Sequence, residues 1–153
     1  MNVPRRTFLK GVLATSGVIA LGSTLLPTVL AKEARAAFEA KSVAEILTSL
    51  FDKTEITETD QIIIKAPEIA ENGRVVPIEI TTALPKVESI TIIAEKNPVP
   101  LIAQFNFAEN NEGYVKTRIK MAETSDVLAV VKADDKLYLA RREVKITIGG
   151  CGG

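Results

Sequence analysis

The sequence predicts an all-β domain, an antiparallel β-sandwich, with a short helix before it and a flexible glycine-rich arm after it. Three observations predict this. From Gln61 onward apolar residues recur with a period of two. Turn-forming residues break these runs at near-regular intervals. The chain then closes on Gly149-Gly150-Cys151-Gly152-Gly153, a composition that disfavours both helix and strand.

The 153 residues fit one domain. Their first stretch reads as an export signal. Arg5 and Arg6 lead into Thr7, Phe8, Leu9 and Lys10, and no charge follows from Gly11 to Ala31. Ala34-Arg35-Ala36 then offers the small residues that a signal peptidase needs. This is the pattern of a twin-arginine signal, which places the mature protein in the periplasm. An uncharged run of that length is also long enough to span a bilayer. Gly11, Gly17, Gly22, several hydroxyl residues and Pro27 make it a weak span and a good signal. The expected division is therefore a signal over 1–36, a sandwich over 37–148 and an arm over 149–153, with no membrane segment left after cleavage.

Cleavage after Ala36 removes five basic residues and one acid. Fourteen basic residues then face eighteen acidic ones, a net charge of −4 where the whole chain is neutral. An acidic domain argues against nucleic-acid binding, which needs clustered positive charge. Histidine is absent, and with it the usual general base and metal ligand. No metal or cofactor is expected.

Element by element, Val43, Ile46, Leu47, Leu50 and Phe51 fall at helical spacing, and Ser42 with Glu45 makes a capping box. A helix is expected over about residues 39–52. Strands follow at Gln61–Lys65, around Val76, Ile78 and Ile80, around Ile90, Ile92 and Ala94, and around Leu101, Ala103, Phe105 and Phe107. The cleanest alternation sets Val115, Thr117, Ile119 and Met121 against Lys116, Arg118 and Lys120. Val127–Lys132, Lys136–Arg141 and Val144–Ile148 complete the set. Turns are expected at Asn72-Gly73, Leu84-Pro85, Asn97 to Pro100, Asn110 to Gly113 and Asp134-Asp135. Pro77 suggests an edge strand. An immunoglobulin-like topology suits this count, without the usual inter-sheet disulfide, because Cys151 is the single cysteine.

That cysteine is the residue to explain. At an average glycine frequency near 7%, four flanking glycines arise by chance about twice in 100,000 placements, so the tail is specified by something. Glycine makes the backbone thin and leaves the thiol without a neighbouring cation or base. A thiol so placed is expected to titrate near its free value of about 8.5. It is a poor catalyst and a good handle. From Ile148 the reach to Cys151 is about 10 Å. Competing readings are an incidental cysteine in a loose chain end, an interchain disulfide staple, a thiol enzyme, and a sulfur carrier of the ubiquitin-like kind charged at its terminal glycine pair. The last needs ATP-driven adenylation, which does not suit an exported protein. A prenylation box fails, because only two residues follow the cysteine.

Weaker candidates lie elsewhere. Arg141 and Arg142 precede the expected last strand and could orient an anionic adduct, although a solvated strand end explains them as well. Lys116, Arg118 and Lys120 read as a solvated basic stripe, Tyr114 and Tyr138 as packing residues, and Asp134 with Asp135 as a turn.

With these residues in place the sequence resembles the SoxY family, the substrate-carrier subunits of the periplasmic thiosulfate-oxidising Sox system. The resemblance runs from Arg5-Arg6 through the segments Ile64–Gly73, Glu95–Pro98 and Thr117–Ala122 to all of Gly149–Gly153. It implies an immunoglobulin-like fold, a heterodimer with a SoxZ subunit, and sulfur intermediates held covalently on Cys151. It implies three enzyme partners: a haem c enzyme that conjugates thiosulfate to the thiol, a manganese-dependent hydrolase that releases sulfate, and a molybdenum- and haem-containing sulfane dehydrogenase. The carrier itself would be no enzyme and would hold no cofactor.

Overall fold

The computed structural model describes residues 35–52, 55–108 and 112–147. The chain divides after Lys32, and every described residue belongs to the second unit. Arg5, Arg6 and the arm residues Gly149, Gly150, Cys151, Gly152 and Gly153 lie outside the described residues.

A helical segment over residues 35–39 leads into α1, Val43–Phe51. Ser42 caps α1 by accepting from the Glu45 N–H at 3.3 Å, while the Glu45 carboxylate accepts from the Lys41 N–H at 2.8 Å. The reciprocal half of the expected capping box is thus shifted by one residue. Asp52 ends the helix in the left-handed region, and its N–H donates to the Thr48 carbonyl.

Nine strands follow among the described residues: β1 Thr57–Glu58, β2 Ile62–Lys65, β3 Ile69–Ala70, β4 Val76–Thr82, β5 Val87–Ala94, β6 Leu101–Asn106, β7 Tyr114–Ile119, β8 Ser125–Ala133 and β9 Lys136–Ile146. They form two facing sheets. The larger runs β1-β9-β8-β5-β6, with β3 also paired to β9, and the smaller runs β2-β4-β7. The long ladders are antiparallel, as expected of an immunoglobulin-like sandwich. The short strands β1 and β3 run parallel to their partner β9.

Two clusters of buried side chains lie on opposite faces of the larger sheet. Ile90, Ile92, Val127, Ala129 and Val131 meet Ile62, Ile64, Val76, Ile78 and Ile80 between the sheets. Ile93, Leu101, Leu128, Val130, Leu137 and Leu139 meet Ile46 and Leu47 of α1, together with Ala37 and Ala40. The helix therefore covers its own sheet. Burying a large aliphatic side chain contributes about 1.5–3 kcal/mol, so these clusters set the order of the strands.

Three local features modify the simple alternation. The β5–β6 register shifts at Ile92/Ile93, which faces Ala103 and Leu101 and leaves Ile102 as the extra residue. Ile102 and Phe105 consequently both reach the inter-sheet core. A second shift makes Glu88 a bulge in β5. It aims the Glu88 carboxylate at the Lys132 ammonium, 2.6 Å away, and at the Asp135 N–H, 3.1 Å away. Asp134 and Asp135 both have positive φ and join β8 to β9, with Ala133 facing Lys136, as a two-residue hairpin turn requires. Gly113 enters β7 so close to Thr82 and Val87 that a Cβ there would collide with the Thr82 methyl.

Two expectations are corrected. Pro77 lies in β4, the central strand of the smaller sheet, and not in an edge strand. The strand tolerates it because β2 pairs with β4 only as far as Glu79. Ala83 donates towards β2, so by alternation the missing Pro77 N–H points past the end of β2. The expected strands Lys136–Arg141 and Val144–Ile148 are one continuous strand, β9. Arg141, Arg142 and Glu143 are all exposed, which masks the period of two without breaking the ladder to β8.

Candidate functional site

The described structure reaches the root of the arm and secures it from two sides. On one side β3 runs beside the end of β9. The Lys145 N–H donates to the Glu68 carbonyl at 2.9 Å, and the Thr147 N–H donates to the Ala70 carbonyl at 3.2 Å. The Thr147 hydroxyl adds a bond to the Glu71 carbonyl at 3.0 Å. On the other side the Ile146 N–H donates to the Thr124 hydroxyl at 2.9 Å. Val144 beneath is fully buried. The chain is thus held by directional bonds up to Thr147, and Cys151 follows four residues later.

The segments that surround this root come from distant parts of the sequence. Met121 donates to the Gly73 carbonyl at 2.7 Å, joining the Asn72-Gly73 turn to the end of β7. The Asn97 side chain donates to the Lys120 carbonyl and accepts from the Ala122 N–H, both at 2.8 Å. Glu95 donates to the Asp126 carbonyl, next to Ser125 at the start of β8. The three internal segments that carry the resemblance, 64–73, 95–98 and 117–122, therefore all meet at the end of the sandwich where the arm leaves.

Periodicity gave no sign of β3, Thr124 or Thr147 as anchors. A two-residue parallel strand has no repeat to detect, and a lone threonine signals nothing until its partner is known. The expected turn at Asn72-Gly73 was the one visible trace.

The weaker candidates separate. Arg141 is ion-paired with Glu58 across the β1–β9 edge. Arg142 lies within β9, not ahead of it, and is exposed. Lys116 pairs with Glu79 at 3.7 Å, and Lys65 reaches the same carboxylate at 3.1 Å. Hydrogen bonding from Lys65 leads in holding the Glu79 carboxyl below its usual range, with Lys116 and Tyr114 adding to it. Tyr138 packs against the inter-sheet core as expected, whereas Tyr114 is exposed. Asp134 belongs to the hairpin turn and pairs with Lys86. Among the described residues no three His, Cys, Asp or Glu side chains gather to hold a metal ion, and no helix is long and apolar enough to cross a membrane.

Comparison with known proteins adds the family. The profile of the family described as "Sulfur oxidation protein SoxY" matches residues 47–151. Among solved structures, the sulfur carrier protein SoxY from Chlorobium limicola f. thiosulfatophilum superposes with a TM-score of 0.62 at 41% identity, covering 67% of this chain and 93% of that one. A superoxide reductase (neelaredoxin) variant from Ignicoccus hospitalis superposes with a TM-score of 0.52 at 17% identity, covering 60% of this chain and 94% of that one, and shares the fold alone. No curated protein sequence matches significantly. The match reaches Cys151 itself and spans well over half of the chain, so this chain belongs to the SoxY family.

Proposed function

We propose that the chain is a carrier in sulfur oxidation that holds its intermediates covalently on Cys151 and hands them to separate enzymes. One observation carries this reading. Backbone and side-chain bonds hold β9 up to Thr147, and four residues later the single thiol of the chain sits among glycines. A fixed root followed by a thin tail delivers a thiol into a narrow site elsewhere.

The chemistry balances with partners of the classes that the family resemblance implies. A haem enzyme takes two electrons as RSH and S2O3²⁻ become RS–S–SO3⁻ and a proton. Hydrolysis of that adduct by water gives RS–S⁻, sulfate and two protons. The remaining sulfane sulfur then needs a further oxidant, the role of a sulfane dehydrogenase. In none of these steps does the carrier supply an acid, a base or a metal. The reading includes export by the twin-arginine pathway through Arg5 and Arg6, removal of residues 1–36, a periplasmic location and a heterodimer with a SoxZ-like subunit.

Intact mass recorded during thiosulfate turnover tests this. Adducts are expected on the wild-type chain and none on Cys151→Ser, whose thiosulfate consumption should stop. An unmodified mass throughout, with normal consumption by the serine variant, excludes the carrier. If activity instead follows a disulfide-linked dimer on a non-reducing gel, Cys151 is an interchain staple.

A further inference from the structure

Three asparagines fall among the described residues, Asn72, Asn97 and Asn106, and they stand in three different chemical situations. The carboxamide carbon of an asparagine can be attacked by the backbone nitrogen of the next residue. The attack needs a nitrogen that carries a hydrogen, is free to lose it and has little bulk beside it. Asn97 fails on the first count, because Pro98 follows it. Both ends of its side chain are also engaged, by the Lys120 carbonyl and the Ala122 N–H at 2.8 Å each. Asn106 fails on the other two. The Phe107 N–H donates to the Glu88 carbonyl at 2.9 Å, and the Phe107 side chain packs against the core.

Asn72 meets every requirement. Gly73 follows it, with no side chain to crowd the attacking nitrogen. Among the described residues nothing accepts from the Gly73 N–H. Asn72 opens a turn that is closed twice. The Val75 N–H donates to its backbone carbonyl at 3.3 Å, and the Arg74 N–H donates to its Oδ1 at 2.9 Å. The second bond folds the carboxamide back over the Asn72–Gly73 peptide, so its carbon and the Gly73 nitrogen share one small hydrogen-bonded ring. It also sets a donor on the oxygen that takes up negative charge when the nitrogen attacks. Asn72 is exposed, so water and hydroxide reach it.

We propose that Asn72 is a site of spontaneous deamidation, and that its conversion loosens the root of the arm. The Gly73 nitrogen gives up its proton and bonds to the carboxamide carbon, ammonia leaves, and a five-membered imide closes. Water then opens the imide. Attack at the former side-chain carbonyl gives aspartate, and attack at the backbone carbonyl gives isoaspartate. The net change is one water taken up and one ammonia released, with no oxidant, metal or enzyme. The site falls between two bonds at the arm end of the sandwich. The Glu71 carbonyl accepts from the Thr147 hydroxyl at 3.0 Å, and the Gly73 carbonyl accepts from the Met121 N–H at 2.7 Å. Isoaspartate lengthens the main chain by one atom between them, so both cannot keep their native geometry. Either product also adds a negative charge next to Glu71.

The test incubates the purified full chain at pH 7 and at pH 8, without sulfur compounds, so it stands apart from the carrier reading. Intact mass should rise by about 1 Da as the carboxamide becomes a carboxylic acid. Peptide mapping should place the change at Asn72, as a mixture of aspartate and isoaspartate. The rate should rise about tenfold between the two pH values, following loss of the Gly73 amide proton. Gly73→Ala should slow it at least severalfold. Gly73 has no positive φ, so alanine fits its backbone. No conversion at Asn72, earlier conversion at Asn106, Asn110 or Asn111, or an unchanged rate in Gly73→Ala overturns the site. Hydrogen exchange reads the consequence. The isoaspartate fraction should exchange the Met121 and Thr147 amides at least severalfold faster than the unconverted chain. Asn72→Asp, which adds the charge without lengthening the chain, should stay close to wild type. Native exchange in the isoaspartate fraction overturns the loosening, and equal loosening in Asn72→Asp overturns the role of chain length.

Discussion

The two sheets of the sandwich are built from the same residue types and live in different surroundings. The larger sheet is covered twice, by the smaller sheet on one face and by α1 on the other. Its central strands β5 and β8 are buried almost without interruption. The smaller sheet is covered once, and β4 and β7 alternate between core and solvent. The doubly covered sheet holds most of the buried side chains, β9 and the arm root, while the outer face of the smaller sheet is exposed to solvent. A small domain has little surface to bury, and this division leaves one whole sheet face for other work.

The sharpest way to break this comparison is to truncate an isoleucine in each sheet. Ile93 is 0% exposed between β5 and α1, whereas Ile63 is 55% exposed on the outer face of β2. Ile93→Ala should cost about 2–5 kcal/mol in urea unfolding. Ile63→Ala should stay within about 0.5 kcal/mol. Comparable losses would mean that the outer face is covered in the working protein.

A smaller effect tests the helix as the second cover. Ser42→Ala removes the side-chain cap of α1 and should cost about 1 kcal/mol. Hydrogen exchange should show the loss chiefly in α1 and in the amides of β8 and β9 beneath it. A uniform loss over both sheets would show that α1 and the inter-sheet core open as one unit.

The smallest expected effect concerns the bulge in β5. The Lys132 hydrogen bond, followed by the Asp135 N–H, lowers the Glu88 carboxyl from its usual range, and Glu88 in turn raises Lys132. A lowered folded-state value means that the unfolded chain binds the proton more readily. The Glu88 contribution is present above the ordinary glutamate range near pH 4.3 and is lost as pH falls through the lowered value. Lys132 behaves oppositely: its contribution is complete below about pH 10.4 and is lost as pH rises through the raised value. Both groups are partly exposed, so Glu88→Gln should cost no more than about 1 kcal/mol at pH 7. The difference from wild type should vanish in acid, and persistence at pH 2 would assign it to the bulge geometry and not to charge.

The same comparison explains what could be read in advance. β4 and β7 were legible because one face is wet, so Val115, Thr117 and Ile119 stand apart from Lys116 and Arg118. In β5, burial on both faces still left a recognisable run of isoleucines, but not the bulge at Glu88 that sets its register. In β9 the reverse happened. Exposure of three successive charges hid an unbroken strand, because the period of two depends on contrast between faces. The root of the arm was the least visible part. Its anchors are the Thr124 hydroxyl and the backbone carbonyls of Glu68, Ala70 and Glu71, carbonyls that any residue could offer, and their positions follow from tertiary pairing alone. The thiol is singled out by composition and not by contact, and it lies outside the described residues.

The last described residue, Thr147, has a consequence for the carrier reading. Thr147 acts as the zero mark of a ruler. Beyond it each residue extends the chain by no more than about 3.6 Å, so the backbone of Cys151 lies no more than about 14 Å from Thr147. Under the proposed function, a receiving enzyme would have to place its reacting centre within that depth of the surface it offers to the sandwich. Unrelated enzymes that share this carrier would have to agree on that one dimension, whatever else distinguishes their chemistry.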